Sequence, residues 1–305
     1  MKTMMKTMMK TMTSMRLLLA ACALIIMSGC EDPVPTDYVE EIMLEGILLV
    51  GEPLADIRIQ RTLPVTDTFR FEQAILNDAK IVVTADGVDI PMTYVDGPRG
   101  GTYRAVDTAY RVKPNTLYSV VVEARGARLT ASTRTPQNFE WIRSLPNRVQ
   151  FPPKDSLLLP VADTLLISWT PVPNAELYII ALTCLDTLGY GSYLTPPTDD
   201  TNERTVRANP DFFDRSGTLI ANERTTLGVT RFASTPTVWG VFRWYGLHEL
   251  RIYAPDRAFS EWFAQVGSGR RSTYDYRLGN ITGGLGVWGS ASLVKSNSFL
   301  LKQPR

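Results

Sequence analysis

The sequence is poor in the residues that build metal centres and disulfide frameworks. Its 305 residues include one histidine and three cysteines. A zinc site made of several histidines needs more than one, and a disulfide-stabilised domain needs several cysteine pairs. The remaining composition, with 44% hydrophobic and 21% charged residues, is that of an ordinary globular protein. We therefore predict no metal site and no disulfide framework, in a chain of about two domains.

The body of the chain also lacks an excess of positive charge. Residues 1–29 hold four basic residues and no acidic one, and the rest of the chain has 28 basic and 31 acidic residues. A protein that binds duplex nucleic acid needs a basic face to displace counterions. We therefore expect no nucleic-acid partner.

The amino terminus has an apolar run that is too short to span a bilayer. The 11 residues from Leu17 to Met27 follow a basic start, whereas a transmembrane helix needs about 20. This pattern is typical of a secretory signal, with Met1 and Met15 as alternative starts. The run ends in Ser28-Gly29 directly before Cys30.

A pair of small residues before a cysteine resembles the bacterial lipobox, with Met27 where leucine is usual. The resemblance implies cleavage between Gly29 and Cys30 and attachment of diacylglycerol and a fatty acyl chain at Cys30. These covalent lipids are the only cofactor that we expect, and they make the membrane a partner. The alternative is an ordinary signal peptide, in which Cys30 is incidental.

Residues 30–37 form an acidic, proline-bearing tether. Acidic residues directly after the lipidated cysteine resemble the export signal that sends Bacteroidota lipoproteins to the outer face of the outer membrane. A generic solvated linker is the alternative. We expect an outer-membrane protein that faces the cell surface rather than the periplasm.

From Tyr38 onward, the hydrophobic pattern has the period of two that is typical of strands. Residues 118–124 and 128–134 alternate in this way, and turn sequences such as Asp86-Gly87 separate the strands. The pattern predicts a mainly β protein of two antiparallel β-sandwich domains, immunoglobulin- or fibronectin III-like in kind. We place them at residues 38–135 and 136–305, the second with a long insertion at 185–215.

Two local patterns refine the second domain. Trp169 ends one predicted strand and Tyr178 opens the next, across a proline-containing turn. This arrangement resembles fibronectin type III domains and implies that both rings pack between the sheets. In residues 256–266, large apolar residues fall on one helical face, which predicts a short helix that ends at Gly267.

Several landmarks, taken in order, resemble one family. They are Cys30, the strand Ile42–Ile47, Gly101-Thr-Tyr103, Thr130–Thr133, the aromatic helix and the glycine-rich segment Asn280–Gly289. The chain is similar in this order to the Bacteroidota lipoprotein family named domain of unknown function 4249, although Trp288 stands where Phe or Tyr is commoner. That family has no established activity, and its members are often encoded near TonB-dependent receptors. The resemblance implies an accessory role in the envelope, with an outer-membrane receptor as a partner.

The motifs that suggest catalysis are incomplete. Gly284, Gly286 and Gly289 have the dinucleotide-binding spacing, but too little chain follows for a βαβ unit, so we expect them to mark close backbone approach or bulges in terminal strands. His248 has no second histidine with which to bind zinc. Cys184 continues an apolar strand face, so we expect a buried, inert thiol. We predict no catalytic residues.

Loop carboxylates leave an enzymatic alternative open. Asp199 with Asp200 and Asp211 with Asp214 could support glycosidase-type hydrolysis or bind Ca²⁺ weakly. Solvated loop acids are the simpler interpretation, because the stretch is polar.

Aromatic residues mark the candidate ligand surface. The insertion contributes four of them and the following segment three more: Tyr190, Tyr193, Phe212, Phe213, Trp239, Trp244 and Tyr245. Such residues can stack on a sugar or peptide, but they also fill sandwich cores, and both interpretations stay open. We predict a lipid-anchored, non-enzymatic binding or accessory module. An envelope hydrolase and a purely structural envelope subunit are the alternatives.

Overall fold

A computed structural model describes residues 38–64, 67–68, 70–97, 100–153, 165–186, 188–205, 224–267 and 279–303. Its strands and helices lie in one compact unit that comprises residues 41–62 and 70–305. Fifteen described strands form three sheets, which confirms the mainly β prediction.

The strands are numbered in chain order. They are β1 Ile42–Leu49, β2 Arg58–Arg61, β3 Lys80–Ala85, β4 Val88–Val95, β5 Thr102–Ala105, β6 Leu117–Ala124, β7 Ala127–Arg134, β8 Trp141–Arg143, β9 Arg148–Gln150, β10 Leu166–Trp169, β11 Tyr178–Cys184, β12 Thr225–Thr230, β13 Ser234–Pro236, β14 Gly246–Pro255 and β15 Leu285–Leu301. The helices are α1 Phe71–Ala74 and α2 Arg257–Gly267.

The first sandwich packs an antiparallel sheet of order β5-β4-β3-β6-β7 against β1, β2 and the start of β15. Every second residue of β1 is buried, so one face of this strand packs on the core, as the period-two sequence pattern indicates. Asp86 and Gly87 both have positive φ between β3 and β4. Positive φ at both central residues gives the tight hairpin turn that suits twisted antiparallel strands.

The second sandwich packs β13-β10-β8 against β12-β11-β14-β15, with β9 on the other side of β15. Trp169 of β10 and Tyr178 of β11 are buried between these sheets. Their ring centroids are 5.1 Å apart in an edge-to-face arrangement. The fibronectin-like packing predicted for these two rings is therefore present.

β15 takes part in both sandwiches. Its residues 285–291 pair in parallel with β1, and residues 291–300 pair antiparallel with β14. The predicted boundary at residue 136 falls between β7 and β8. Strands from both sides of this boundary share the seven-stranded sheet. Among the described residues, Trp288 is the only fully buried member of the first core that lies after the boundary. The sequence pattern did not indicate this parallel pairing.

The glycines of the segment 284–289 allow close contact with β1. Gly286 has a φ of +109°, and a Cβ there would lie 2.0 Å from the Leu44 carbonyl oxygen. Gly46 of β1 faces the Trp288 ring, since a Cβ on Gly46 would lie 2.6 Å from Cζ3 of the indole. The expectation of close backbone approach is confirmed.

The predicted helix is α2, within one residue at each end. Asp256 caps it, since its Oδ1 accepts a 2.8 Å hydrogen bond from the Phe259 backbone N–H. This is the usual bond from an N-cap side chain to the first turn. Phe259 also packs against Gly289, which places α2 on β15.

Candidate functional site

The structure buries three of the aromatic residues predicted for a ligand surface. Tyr190, Trp244 and Tyr245 all belong to the interior. Tyr245 packs edge-to-face on Phe151 at 5.4 Å in the core of the second sandwich. For these three residues the surface interpretation is wrong and the interior interpretation holds, and Tyr190 and Tyr245 belong to the core of the second sandwich.

The other candidates do not form an open aromatic platform either. Trp239 is half-buried and packs edge-to-face on Phe151 at 5.5 Å. Tyr193, at 40% exposure, is the most accessible of the five candidates in the described residues. Phe212 and Phe213 lie outside the described residues.

The described part of the insertion packs against the end of β15. The rings of Tyr190 and Tyr193 lie 5.2 Å and 5.3 Å from the ring of Phe299. The Tyr190 hydroxyl accepts a 2.7 Å hydrogen bond from the backbone N–H of Lys302, and the Lys302 ammonium lies 4.8 Å from the Tyr190 ring centroid. These contacts make the start of the insertion part of the sandwich.

Of the predicted loop carboxylates, Asp199 is exposed and its neighbour Asp200 has a cationic partner. Asp200 forms an ion pair with Lys302, with 2.7 Å between Oδ1 and Nζ, and Glu203 lies 3.3 Å from the same ammonium. Asp211 and Asp214 lie outside the described residues. The geometry of Asp200 is that of a residue that holds the insertion to the last strand.

Asn202 organises the interior of the insertion, and the sequence did not indicate it. Its Nδ2 donates to the backbone carbonyls of Asp186 and Tyr245, each at 2.7 Å, and its Oδ1 accepts from the Glu203 N–H at 2.8 Å. An asparagine in a polar stretch has no pattern that separates it from a solvated loop residue. Only the burial of Asn202 in the structure shows that its side chain supplies hydrogen-bond partners to buried backbone groups.

Cys184 is buried, as predicted, with 2% of its surface exposed. Burial raises the pKa of its thiol to about 11. Since the thiolate is the reactive form of cysteine, this residue is unreactive at neutral pH.

His248 is buried beside it on β14. Its Nδ1 lies 2.9 Å from the Gly246 carbonyl oxygen, and burial lowers its pKa to about 4. A carbonyl oxygen only accepts, so the neutral ring donates from Nδ1. Within the described residues, no group of three metal-ligating side chains is present.

Asp256 forms a polar cluster where α2 meets β7 and β15. Its carboxylate accepts hydrogen bonds from the Thr133 hydroxyl and, at 3.1 Å, from the Ser290 N–H. Burial raises the pKa of this carboxyl, against the effect of those hydrogen bonds. The cluster has a structural use, because it joins the helix cap to β7 and β15.

An apolar groove of about 300 Å³ lies between β12 and β13, the edge strands of the two sheets of the second sandwich. Its floor is the core itself, at Ile167, Leu182 and Leu250. Around it, apolar side chains are unusually exposed, with Leu227 at 56% and Val229 at 60%. Among the described residues, this groove is the feature best suited to hold an apolar ligand.

The predicted lipidation and cleavage residues, Cys30 and Gly29, lie outside the described residues. No helix in the described ranges is both long and apolar enough to cross a bilayer.

No protein-family model and no curated protein matches this chain. Two solved titin structures are similar to it at 8% identity: an I-band fragment and an E-to-A mutated variant of the same domains. Both matches cover 87% of this chain, with a TM-score of 0.20. The chain spans 65% and 66% of the length of those titin chains. The sandwich fold follows from the strand pairings.

Proposed function

We propose that the protein is an outer-membrane lipoprotein that acts as a non-enzymatic binding or accessory module beside a TonB-dependent receptor. One observation carries the proposal. A short apolar run, Leu17–Met27, follows a basic start and ends in Ser28-Gly29 before Cys30. This arrangement supports lipidation at Cys30.

Lipid attachment gives such a module a physical role. Each buried CH₂ of an acyl chain contributes about 0.8 kcal/mol, so two or three chains hold a protein stably at a membrane. The tether at residues 30–37 would lift the first strand about 20–25 Å from the lipid if extended at about 3.1 Å per residue. Confinement to the membrane then raises the effective concentration of the body for a neighbouring receptor.

Three groups that a hydrolase could use have structural partners. The Cys184 thiol is buried, the His248 ring is held neutral, and Asp200 is paired with Lys302. These contacts favour a binding module over an enzyme that uses the same side chains.

The family resemblance supports the same role. Gly46 faces the Trp288 ring, and the Asn280 side chain bonds to both the carbonyl (2.7 Å) and the N–H (2.9 Å) of Trp288. The strand that contains Gly46 and the glycine-rich segment that contains Trp288 are two of the family landmarks. They lie far apart in the sequence and contact each other in the first sandwich. Within this proposal, the chain is a member of the domain of unknown function 4249 lipoproteins.

The anchor is tested by replacing Cys30 with alanine in cells labelled with radioactive palmitate. We expect loss of the label, whereas the matched variant Cys184→Ala keeps it. In a second variant, an ordinary cleavable secretory signal replaces residues 1–30, and we expect a soluble product. Protease treatment of intact cells is expected to digest the wild-type protein, since we place it on the cell surface. A palmitate label on Cys30→Ala, or membrane retention of the second variant, would contradict the anchor.

A further inference from the structure

The strand β12 is the open edge of the seven-stranded sheet. It pairs with β11 on one side, and no described strand pairs with it on the other. An edge strand carries backbone N–H and C=O groups that can pair with another extended chain.

The pairing of β12 shows which groups face outward. The Cys184 N–H donates to the Arg224 carbonyl at 2.8 Å, directly before the first paired residues of β12. Hydrogen-bonded and non-hydrogen-bonded pairs alternate along an antiparallel ladder. The backbone groups of Leu227 and Val229 therefore point away from β11, and no described residue hydrogen-bonds to them.

The groove lies where the side chains of an added strand would fall. Thr226 and Gly228 line it from β12, and a Cβ at Gly228 would meet no atom within 4 Å. The opposite wall includes Pro236 and Val238. A strand beside β12 would place alternate side chains over this opening, above the apolar floor at Leu182.

The charge that follows β12 favours a partner segment with an acidic residue. Arg231 follows the strand, is exposed and makes no ion pair with a described residue. Opposite charges on neighbouring strands stabilise a strand pair, so an acidic residue on an added strand would find a counter-charge in Arg231.

We propose that β12 and its groove form a strand-addition site for an extended segment of a partner protein. The segment has apolar residues at alternate positions, which enter the groove, and an acidic residue that meets Arg231. Its backbone pairs with the outward groups of Leu227 and Val229. This inference rests on the proposed binding role and names the site and the kind of partner.

The test uses the full-length chain purified in detergent and a fluorescein-labelled probe peptide, Asp-Thr-Val-Thr-Val-Thr-Asp, followed by fluorescence anisotropy. We expect Val229→Pro to weaken binding at least tenfold, because proline removes an outward N–H and leaves the ladder to β11 intact. Val229→Ala keeps that N–H and is the matched control, with an expected loss of less than threefold. Gly228→Val fills the groove without removing a hydrogen bond and is also expected to weaken binding at least tenfold. Thermal melting checks that each variant is folded.

Several results would overturn the site. They are no binding to the wild-type chain, equal binding by wild type and Val229→Pro, equal binding of a lysine-ended probe, and self-association that competes with the probe. Binding that appears only after a Gly-Ser linker replaces residues 206–223 would also overturn it. None of these outcomes changes acylation of Cys30, so failure of the site and failure of the anchor are distinguishable.

Discussion

His248 is held in its neutral form by the interior of the second sandwich. The ring packs edge-to-face on Phe242 at 5.3 Å and contacts the Gly246 carbonyl. Its pKa is about 4 in the folded chain, below the ordinary value of 6.5. The unfolded chain therefore takes up a proton at this residue at a higher pH than the folded chain does.

This difference predicts a loss of stability in mild acid. Between pH 7.5 and pH 5, His248 lowers the free energy of unfolding by about 2 kcal/mol, and its contribution stops growing below about pH 4. The glutamine in His248→Gln does not take up a proton, so the free energy of unfolding of this variant lacks the pH-dependent contribution of His248. Urea unfolding at both pH values measures the difference between the two proteins. Parallel stability curves for wild type and variant would contradict the buried neutral ring.

Residue types alone could not separate core from surface at several positions. Cys184 lay on an apolar strand face, and its burial was predicted correctly. For Tyr190, Trp244 and Tyr245 the sequence left a surface and a core interpretation open, and the structure buries all three. Aromatic side chains suit both a stacking platform and a sandwich core, so only the packing decides between the two.

At the scale of elements, the contact between β1 and β15 holds the first sandwich together. Gly46 and the fully buried Trp288 are paired across these strands, and Trp288 Nε1 donates to the Tyr118 carbonyl of β6 at 3.1 Å. The indole thus reaches from one sheet of the first sandwich to the other. A side chain at position 46 has no room beside it.

Gly46→Ala is therefore expected to lower the free energy of unfolding by about 1–3 kcal/mol through overpacking. The cost should be smaller in a Trp288→Phe background, because the smaller ring makes room. Chemical denaturation of the four proteins in this double-mutant cycle measures the coupling. Gly240→Ala is the control, since a Cβ there meets no atom within 4 Å. Additive costs for positions 46 and 288 would count against the contact.

Elements were predicted more reliably than their partners. Strands β6, β7 and β11 and helix α2 follow from local periodicity, which depends on neighbouring residues only. The parallel pairing of β1 with β15 joins segments near opposite ends of the chain. Alternation shows which face of a strand is buried, but not which distant strand lies beside it.

At the scale of the whole molecule, β15 couples the two cores. Its first residues contribute Trp288 to the first core, and its last contribute Phe299 and Leu300 to the second. If one sandwich unfolded and β15 detached from it, the other sandwich would lose a strand as well. We therefore expect both sandwiches to unfold in one transition.

Val83→Ala tests this coupling from the first core. Val83 is fully buried, and the substitution should cost about 2 kcal/mol. Hydrogen exchange followed by mass spectrometry should show faster exchange in β11 of the second core as well as in β3. Val88→Ala, at an exposed position on β4, is the control and should leave both unchanged. Faster exchange confined to the first sandwich would show that the cores unfold separately.

The proposed position of the whole molecule in the cell depends on its amino terminus. In that proposal, a lipid at Cys30 holds the two sandwiches, which share β15, at the outer membrane. The groove at β12 would then be available to a neighbouring receptor.

The most direct measurement is mass spectrometry of the amino-terminal peptide from protein extracted from native membranes. We expect a peptide that begins at Cys30, with diacylglycerol on the sulfur and a fatty acyl chain on the amino group. A peptide that carries an unmodified Cys30, from protein released into the medium, would contradict this expectation.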